Sequence, residues 1–239
     1  MKKLNLDEQI KLYSIPTRII YAQKTPERGG WKLLSSKAKG VSVETLVWKD
    51  FISNGWSGVN DEGQTIIAIT QALSYAYQAL TNQPFIGYFE KKHDYYLNHS
   101  EHKLNVANFI EKIEYEQFKK ILKKNFALLK KISRRPKALT ENNCLELWRL
   151  FGAKFFALWV ELHMKTLRNY PSPLGHAGIA NGIPDLLIWK THLSGKIDIE
   201  FVEVKASGDR LQDSQIDWMR NVASSLKLKF SLVLVCEGK

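Results

Sequence analysis

The most constraining feature of this sequence is a change of pattern in its C-terminal part. Two short runs rich in aliphatic residues, Asp185–Trp189 and Ile197–Val204, follow a long segment of helical periodicity. The connection between them, Lys190–Lys196, contains the turn-forming pair Ser194-Gly195 and has the length of a hairpin loop. The pattern predicts two strands joined by a hairpin, so this part of the chain is expected to be built around a sheet.

Helical patterns account for most of the remaining chain. Ser42 is a candidate N-cap for a helix that Gly55 ends. Periodicity predicts further helices at 64–80, 106–133 (one helix or a pair), 140–169 and 211–226, and a last strand at 230–235. This order predicts an α/β fold with a small mixed sheet flanked by helices, preceded by a mainly helical N-terminal region.

The charge of the chain is strongly basic and unevenly distributed. The 239 residues carry a formal net charge of +11, and residues 91–137 contain 13 Lys/Arg against 5 Asp/Glu. Such a balance favours a polyanionic partner, of which nucleic acid is the commonest, although a solvated basic face on a packed helix gives the same pattern. The candidate DNA-binding residues of this segment are Lys119, Lys120, Lys123, Lys124, Lys130, Lys131, Arg134 and Arg135.

Composition also argues against several classes of protein. No apolar stretch approaches the roughly 20 residues that span a membrane, and the first residues lack the apolar core of a secretory signal. Cys144 and Cys236 lie far apart without metal-ligand spacing, so two reduced thiols are expected. We therefore expect no membrane partner and a cytoplasmic protein, or a nuclear one in a eukaryote.

Three residues of the predicted strand pair carry the candidate chemistry. Asp185 opens the first strand and Glu203 lies near the end of the second, so antiparallel pairing would place the two carboxylates side by side. Lys205 follows Glu203 by two residues, and side chains at i and i+2 of a strand share a face. The pattern predicts that the three side chains converge, although a solvated edge strand can also carry Glu-Val-Lys.

These residue types suit a metal-dependent phosphodiesterase. Mg²⁺ and Mn²⁺ take oxygen ligands, and a Mg²⁺ site usually keeps several waters, so two carboxylates hold the ion without saturating it. A bound ion polarises the phosphate and acidifies the attacking water, and a lysine alongside can orient that water. The main-chain carbonyl of Val204 lies between the two key side chains and is a candidate further ligand.

Two stretches of the sequence resemble the VRR-NUC domain of the PD-(D/E)xK superfamily. They are Gly182-Ile-Pro-Asp-Leu-Leu-Ile-Trp189 and Phe201-Val-Glu-Val-Lys-Ala-Ser-Gly-Asp-Arg-Leu-Gln-Asp-Ser-Gln-Ile-Asp-Trp218. More closely they resemble the nuclease module of the Fanconi-associated nuclease family. The resemblance implies a restriction-endonuclease-like core in which Asp185 and Glu203 bind the metal and Lys205 assists the water.

A second segment extends this resemblance upstream. Val43-Glu-Thr-Leu46 and Gly55-Trp-Ser-Gly-Val-Asn-Asp-Glu-Gly63 are similar to the part of the family that supplies an additional catalytic glutamate. The correspondence implies that Glu62 is a third acidic metal ligand and that the nearby Glu44 is structural. Gln215 is expected to contact the water or the backbone near the site, and Arg210 is a candidate phosphate contact.

The resemblance implies a nuclease that acts on DNA, most of all on branched or flapped DNA. We expect a structure-selective 5′-flap endonuclease, a 5′–3′ exonuclease, or both, in DNA repair. A Holliday-junction resolvase or mobile-element endonuclease on the same core is the alternative, and a non-catalytic DNA-binding module is a third. Residues 1–90 are expected to form a helical part that supplies Glu62, residues 91–139 a basic part that faces the DNA, and residues 140–239 the VRR-NUC core. The protein is expected to be a monomer or a homodimer.

Overall fold

The structure is a computed structural model that describes residues 4–25, 30–34, 40–81, 100–133, 135–166 and 182–238. The chain divides into two compact units. One, here called the sheet unit, joins residues 1–63 to 182–219 and 227–239. The other, here called the helical unit, comprises 64–181 and 220–226. The first 63 residues are therefore part of the same unit as the C-terminal strands.

The sheet unit contains a six-stranded mixed sheet. Its strands are β1 Thr17–Lys24, β2 Trp31–Leu33, β3 Ser57–Asn60, β4 Leu186–Thr191, β5 Ile197–Ala206 and β6 Lys229–Glu237. They lie in the order β2-β1-β6-β5-β4-β3, with β6 parallel to β1 and β5 and the other pairs antiparallel. The predicted mixed sheet and its antiparallel β4–β5 hairpin are confirmed, and β1, β2 and β3 are strands that the sequence patterns did not reveal.

The predicted helices are present in both units, and α1 is a further helix that the sequence patterns did not reveal. The sheet unit has α1 Leu6–Tyr13, α2 Val43–Ser53 and α7 Asp213–Asp217; the helical unit has α3 Gln64–Thr81, α4 Ser100–Glu111, α5 Tyr115–Ile132 and α6 Glu141–Thr166. A π-helical segment, Trp218–Ala223, follows α7. Ser42 caps α2 by accepting from the Thr45 amide, and Thr140 caps α6 by accepting from the Asn143 amide. The predicted helix over 106–133 is a pair, and residues 167–169 of the predicted long helix lie outside the described residues.

The two faces of β5 explain how the sheet unit is held together. Val202 and Val204 point to one face and pack in a core that includes Val47 and Phe51 of α2. Phe201 lies on the opposite face with its ring 5.1 Å from that of Trp218. Because each fully buried aliphatic or aromatic side chain contributes about 1.5–3 kcal/mol, both faces stabilise the strand. The part of β5 that carries Glu203 is consequently held by packing on both of its faces.

Aromatic side chains form the centre of the helical unit. Trp148 stacks between Phe118 and Phe156, and the centroid of its ring lies 4.2 Å from that of Phe118 and 5.2 Å from that of Phe156. Helix α6 is broken at Gly152, which has φ 72° and ψ 170°, a conformation that is open essentially only to glycine.

Among the described residues, no helix has the length and apolar character that crossing a membrane requires.

Candidate active site

The register of the sheet brings the predicted acids together. Strands β4 and β5 pair with Leu186 opposite Val202, so the next position along places Asp185 beside Glu203. The Asp185 carboxylate is fixed there because its Oδ2 accepts a hydrogen bond of 2.9 Å from the Val204 amide. The two carboxylates therefore lie at the same end of adjacent strands, as their spacing in the sequence predicted.

Glu203 has a buried and unusually crowded carboxylate. Its exposure is 1%, and its Oε1 accepts from both Lys205 Nζ and Gln215 Nε2 at 2.5 Å. Its Oε2 is buried and accepts no hydrogen bond from an N–H or O–H donor of the described residues, and the Glu203 carboxyl is in hydrogen-bonding contact with that of Asp185. A buried carboxylate oxygen without a donor is energetically costly, so this atom is available to a ligand that the protein itself does not supply.

Burial dominates the electrostatics of the acid pair. Desolvation, followed by the neighbouring charge of Asp185, raises the pKa of Glu203 to about 8, although Lys205 acts in the opposite direction. Desolvation likewise raises the pKa of Asp185 to about 6, against the lowering effect of the Val204 amide and of Lys205. Two adjacent buried carboxylates resist joint ionisation, and a cation between them would remove that penalty.

The end of β3 brings a third acid to this side of the sheet. The Glu62 amide donates to the Asp185 carbonyl at 3.3 Å, and Glu62 adopts φ 52°, which is uncommon for a residue with a side chain. The charges of Glu44 and Glu62 both raise the pKa of Asp185. The structure thus places Glu44, to which the resemblance assigned a structural role, within electrostatic range of the site as well.

The donor set fits a hard divalent cation. Across the described residues, no group of three or more His, Cys, Asp or Glu side chains is gathered closely enough to hold a metal ion. The site instead offers the Asp185–Glu203 pair, in which Glu203 Oε2 accepts from no described N–H or O–H donor. Mg²⁺ is commonly bound by one or two carboxylates and several waters, so two acids suffice. Ligation by Glu62 and by the Val204 carbonyl stays a prediction.

The predicted basic residues lie mainly on α5. Its six lysines, here called the lysine face, are all exposed: Lys119, Lys120, Lys123, Lys124, Lys130 and Lys131. They belong to the helical unit, whereas the predicted catalytic residues all belong to the sheet unit. Arg135 is partly buried, Arg210 is exposed in the loop after β5, and Arg134 lies outside the described residues.

One buried residue near the site carries no sequence signal. Gln9 of α1 is 6% exposed and is hydrogen-bonded through its side-chain amide to the main chain of Leu211, just before α7. The two residues are 202 positions apart, so no motif or periodicity links them. Sequence reasoning missed Gln9 and found Gln215, whose neighbours form part of a recognisable motif.

Comparison with known proteins agrees with the predicted resemblance. The VRR-NUC domain model matches residues 153–239, whereas no curated protein gives a significant match. Two crystal structures of paFAN1, bound to gapped DNA with a 2-nucleotide or a 1-nucleotide 5′ flap, are similar over 100% of this chain, with TM-scores of 0.62 and 0.59 and identities of 17% and 16%. The chain spans 40% of the length of those structures. The VRR-NUC resemblance and the α/β fold are thereby confirmed.

Proposed function

We propose that this chain is a divalent-metal-dependent DNA nuclease that hydrolyses phosphodiester bonds at the ends of β4 and β5. The observation that carries this proposal is the buried Glu203 carboxylate, which lies against the Asp185 carboxylate and has one oxygen that accepts from no described N–H or O–H donor. Such an arrangement costs stability and needs a compensating role. A VRR-NUC match over residues 153–239 supports the same chemistry.

Each residue of the site has a distinct part in this proposal. Asp185 and Glu203 would hold Mg²⁺ or Mn²⁺, which when bound polarises the phosphate and acidifies the attacking water. Lys205, only 12% exposed and in contact with Glu203, orients that water and balances negative charge in the transition state. Gln215 fixes the Glu203 carboxylate through its amide. Glu62 completes the acidic set from the end of β3.

The lysine face supplies the proposed contact with the DNA backbone. Phe118, Leu122 and Leu129 define the buried side of α5, and at 100° per residue the six lysines lie about 80° to 180° away from the centre of that side. Within the described residues none of the six forms an ion pair, and the last acidic residue before them is Glu116. Pairs of like charges at i and i+4 destabilise a helix, and a bound polyanion would offset that cost, so the lysine face favours a polyanionic partner.

The length of the lysine face suits duplex DNA. From Lys119 to Lys131 the helix rises by about 18 Å, a length over which duplex DNA carries roughly ten phosphate charges. Contacts of this kind give affinity without reading base sequence. Sequence-independent binding is what a nuclease selecting DNA by its shape requires. The 5′ flaps bound in the paFAN1 complexes support flapped DNA as the substrate; the 5′-flap endonuclease or 5′–3′ exonuclease activity and the role in repair are parts of the proposal.

The test is cleavage of a 5′-flap duplex, labelled in turn at each 5′ and 3′ end, with Mg²⁺, with Mn²⁺ and with EDTA. We expect products near the branch only when a divalent ion is present. Asp185→Asn should reduce cleavage at least about a thousandfold, because it removes a ligand charge, and should leave DNA binding intact. Asp198→Asn is the matched control, since Asp198 lies at the far end of β5 and pairs with His192 and Lys196.

The outcomes separate this proposal from its rivals. If the wild-type protein cleaved DNA in EDTA, or if Asp185→Asn cleaved DNA at the wild-type rate, the assignment of the site would be overturned. Symmetric cuts confined to four-way junctions would identify a resolvase instead. Binding of flap DNA without cleavage under any metal condition would identify a non-catalytic DNA-binding module.

A further inference from the structure

A buried glutamine of α1 is joined to the loop that leads from β5 into α7. Gln9 Nε2 donates to the Leu211 carbonyl at 3.0 Å, and the Leu211 amide donates to Gln9 Oε1 at 2.8 Å. The side chain therefore pairs with both polar groups of one main-chain residue. Because these groups are buried, replacing the glutamine by an apolar residue would leave both Leu211 groups unsatisfied.

The hydrogen bonds continue from Leu211 to the proposed catalytic carboxylate. Leu211 precedes Gln212, the N-cap of α7, whose amide donates to Gln215 Oε1 at 2.9 Å. With its oxygen held in this way, the Gln215 side-chain amide directs Nε2 to Glu203 Oε1. Gln9 and Glu203 are thus the two ends of one continuous set of contacts through the start of α7.

The start of helix α7 is held by contacts on more than one side. The helix continues directly into the π-helical segment Trp218–Ala223, so what Gln9 can set is the position of its N-terminal end. On its other side it packs on Gly182, where a Cβ would lie 2.2 Å from the Ser214 carbonyl oxygen. Gly182 also has φ 95° and stands three residues before Asp185. The start of α7 is therefore fixed between α1 and the segment that enters β4.

We propose that Gln9 is a positioning residue of the active site, which acts on Glu203 through the Leu211 main chain and the Gln215 side chain. The inference rests on the proposed nuclease function. Residues that orient a metal-binding carboxylate affect metal affinity and turnover, whereas the lysine face governs DNA affinity. Loss of Gln9 should consequently lower kcat and leave KM for DNA unchanged.

The decisive experiment is a double-mutant cycle on the full chain. The variants are Gln9→Met, which keeps the side-chain volume without the hydrogen bonds, Gln215→Met, and the two combined. Leu6→Ala is the control, since Leu6 is buried on the same helix and packs in the same cluster as Leu211 without bonding to it. For each variant, kcat and KM on the flap substrate and the affinity for Mn²⁺ by calorimetry without DNA are measured on folded protein.

We expect Gln9→Met and Gln215→Met each to lower kcat and Mn²⁺ affinity by about 10- to 100-fold, the range typical of residues that orient metal ligands. The double variant should be no worse than Gln215→Met, because both changes interrupt the same set of hydrogen bonds. Leu6→Ala should lower the unfolding midpoint with kcat and Mn²⁺ affinity at wild-type values.

Three results would overturn the inference. They are a wild-type kcat for Gln9→Met, effects of the two single variants that multiply in the double variant, or a Leu6→Ala effect on kcat equal to that of Gln9→Met. Failure of the proposed function is a different result, in which the wild type cleaves no DNA. The Mn²⁺ titrations then decide alone: matched losses in both single variants support the positioning role, and wild-type affinity in Gln9→Met rejects it.

Discussion

The sheet unit and the helical unit use charge in opposite ways. In the sheet unit, Glu203 is 1% exposed and beside a second carboxylate, and its pKa is raised to about 8 by burial and by Asp185. In the helical unit, the lysine face of α5 is exposed and, within the described residues, without ion pairs. The ionisation of the buried carboxylates depends on a few neighbouring groups, whereas the exposed lysines act through the sum of their charges.

This difference predicts how each unit responds to substitution. A buried charge acts at short range in a medium of low dielectric, so one altered group can abolish function. Exposed charges are screened by salt over about 8–10 Å, so each contributes little and their sum matters. Changes in the sheet unit should affect turnover, and changes in the lysine face should affect DNA affinity and its dependence on salt.

After Asp185→Asn, the largest effect is expected for Lys205→Met. Lys205 is the cation that contacts Glu203, so its loss should lower kcat by about 10²- to 10⁴-fold, the range of general acid–base contributions, with little change in DNA affinity. Single-turnover cleavage and binding assays in Ca²⁺ would measure the two. Lys190→Met is the control, because among the described residues Lys190 of β4 donates only to the Asn54 carbonyl. A kcat for Lys205→Met within threefold of wild type would remove Lys205 from the mechanism.

Neutralising the lysine face should have the next largest effect. Changing all six lysines to glutamine should reduce the slope of log affinity against log salt by up to about 5, at about 0.9 for each DNA phosphate that the protein no longer neutralises. Binding is measured with Asp185→Asn protein in EDTA. The control changes six exposed lysines of the sheet unit: Lys11, Lys24, Lys49, Lys196, Lys227 and Lys229. Equal losses of affinity in the two sets would mean that net charge alone, and no particular surface, binds DNA.

The metal-free protein should become less stable as pH rises. Burial raises the pKa of Glu203 from 4.5 to about 8 and that of Asp185 from 3.8 to about 6. The folded state therefore binds protons more tightly than the unfolded chain, and the free energy of unfolding should fall between about pH 4 and pH 8, by on the order of a few kcal/mol.

Urea unfolding in EDTA across this pH range would measure the decline. Glu203→Gln should flatten it, since the amide does not titrate, whereas Asp198→Asn, at the far end of β5, should leave the Glu203 contribution in place. A wild-type stability that stays constant from pH 5 to pH 8 would show that the acid pair is not destabilised by burial.

The smallest expected effect is on the helical unit alone. Gly152 interrupts α6 with φ 72° and ψ 170°, and a Cβ there would meet no heavy atom within 4 Å. Gly152→Ala should therefore cost about 1–3 kcal/mol through backbone strain only, seen as a lower Tm, with kcat unchanged at low temperature. Lys154→Ala, an exposed change two residues further along α6, should leave Tm nearly unchanged. A stabilised Gly152→Ala protein would contradict the strained conformation.

Local patterns revealed the elements with strong internal signals and missed the others. Helices α2, α3 and α6 have apolar periodicity, caps, or both, and β4 and β5 are short segments rich in aliphatic residues that are joined by a hairpin-length loop. Strand β2 has three residues and β3 contains Gly58, so neither has enough alternation to be recognised. These strands exist because they pair with neighbours distant in the sequence, and propensity in a single segment does not contain that information.

The residues of the candidate site likewise fall into those that local spacing predicted and those that only the fold brings together. Asp185, Glu203 and Lys205 were predicted together because strand geometry relates residues at known spacing, and Gln215 followed from the same motif. Glu44 lies on α2, and its electrostatic effect on Asp185 depends on how that helix packs against the sheet. Gln9 depends on a pair of hydrogen bonds that spans 202 residues. Neither effect is encoded within a short stretch of sequence.

The sequence by itself determined the chemistry available to this protein: two acids and a lysine at strand spacing, a basic helix, and a recognisable VRR-NUC pattern. Tertiary structure alone decided the state of those groups. It buried Glu203, left one of its oxygens without an N–H or O–H donor among the described residues, and brought α1 against the loop before α7. The physical reason is that residue types and local spacing are properties of the chain, whereas desolvation and hydrogen-bond partners depend on which distant segments exclude water from each atom.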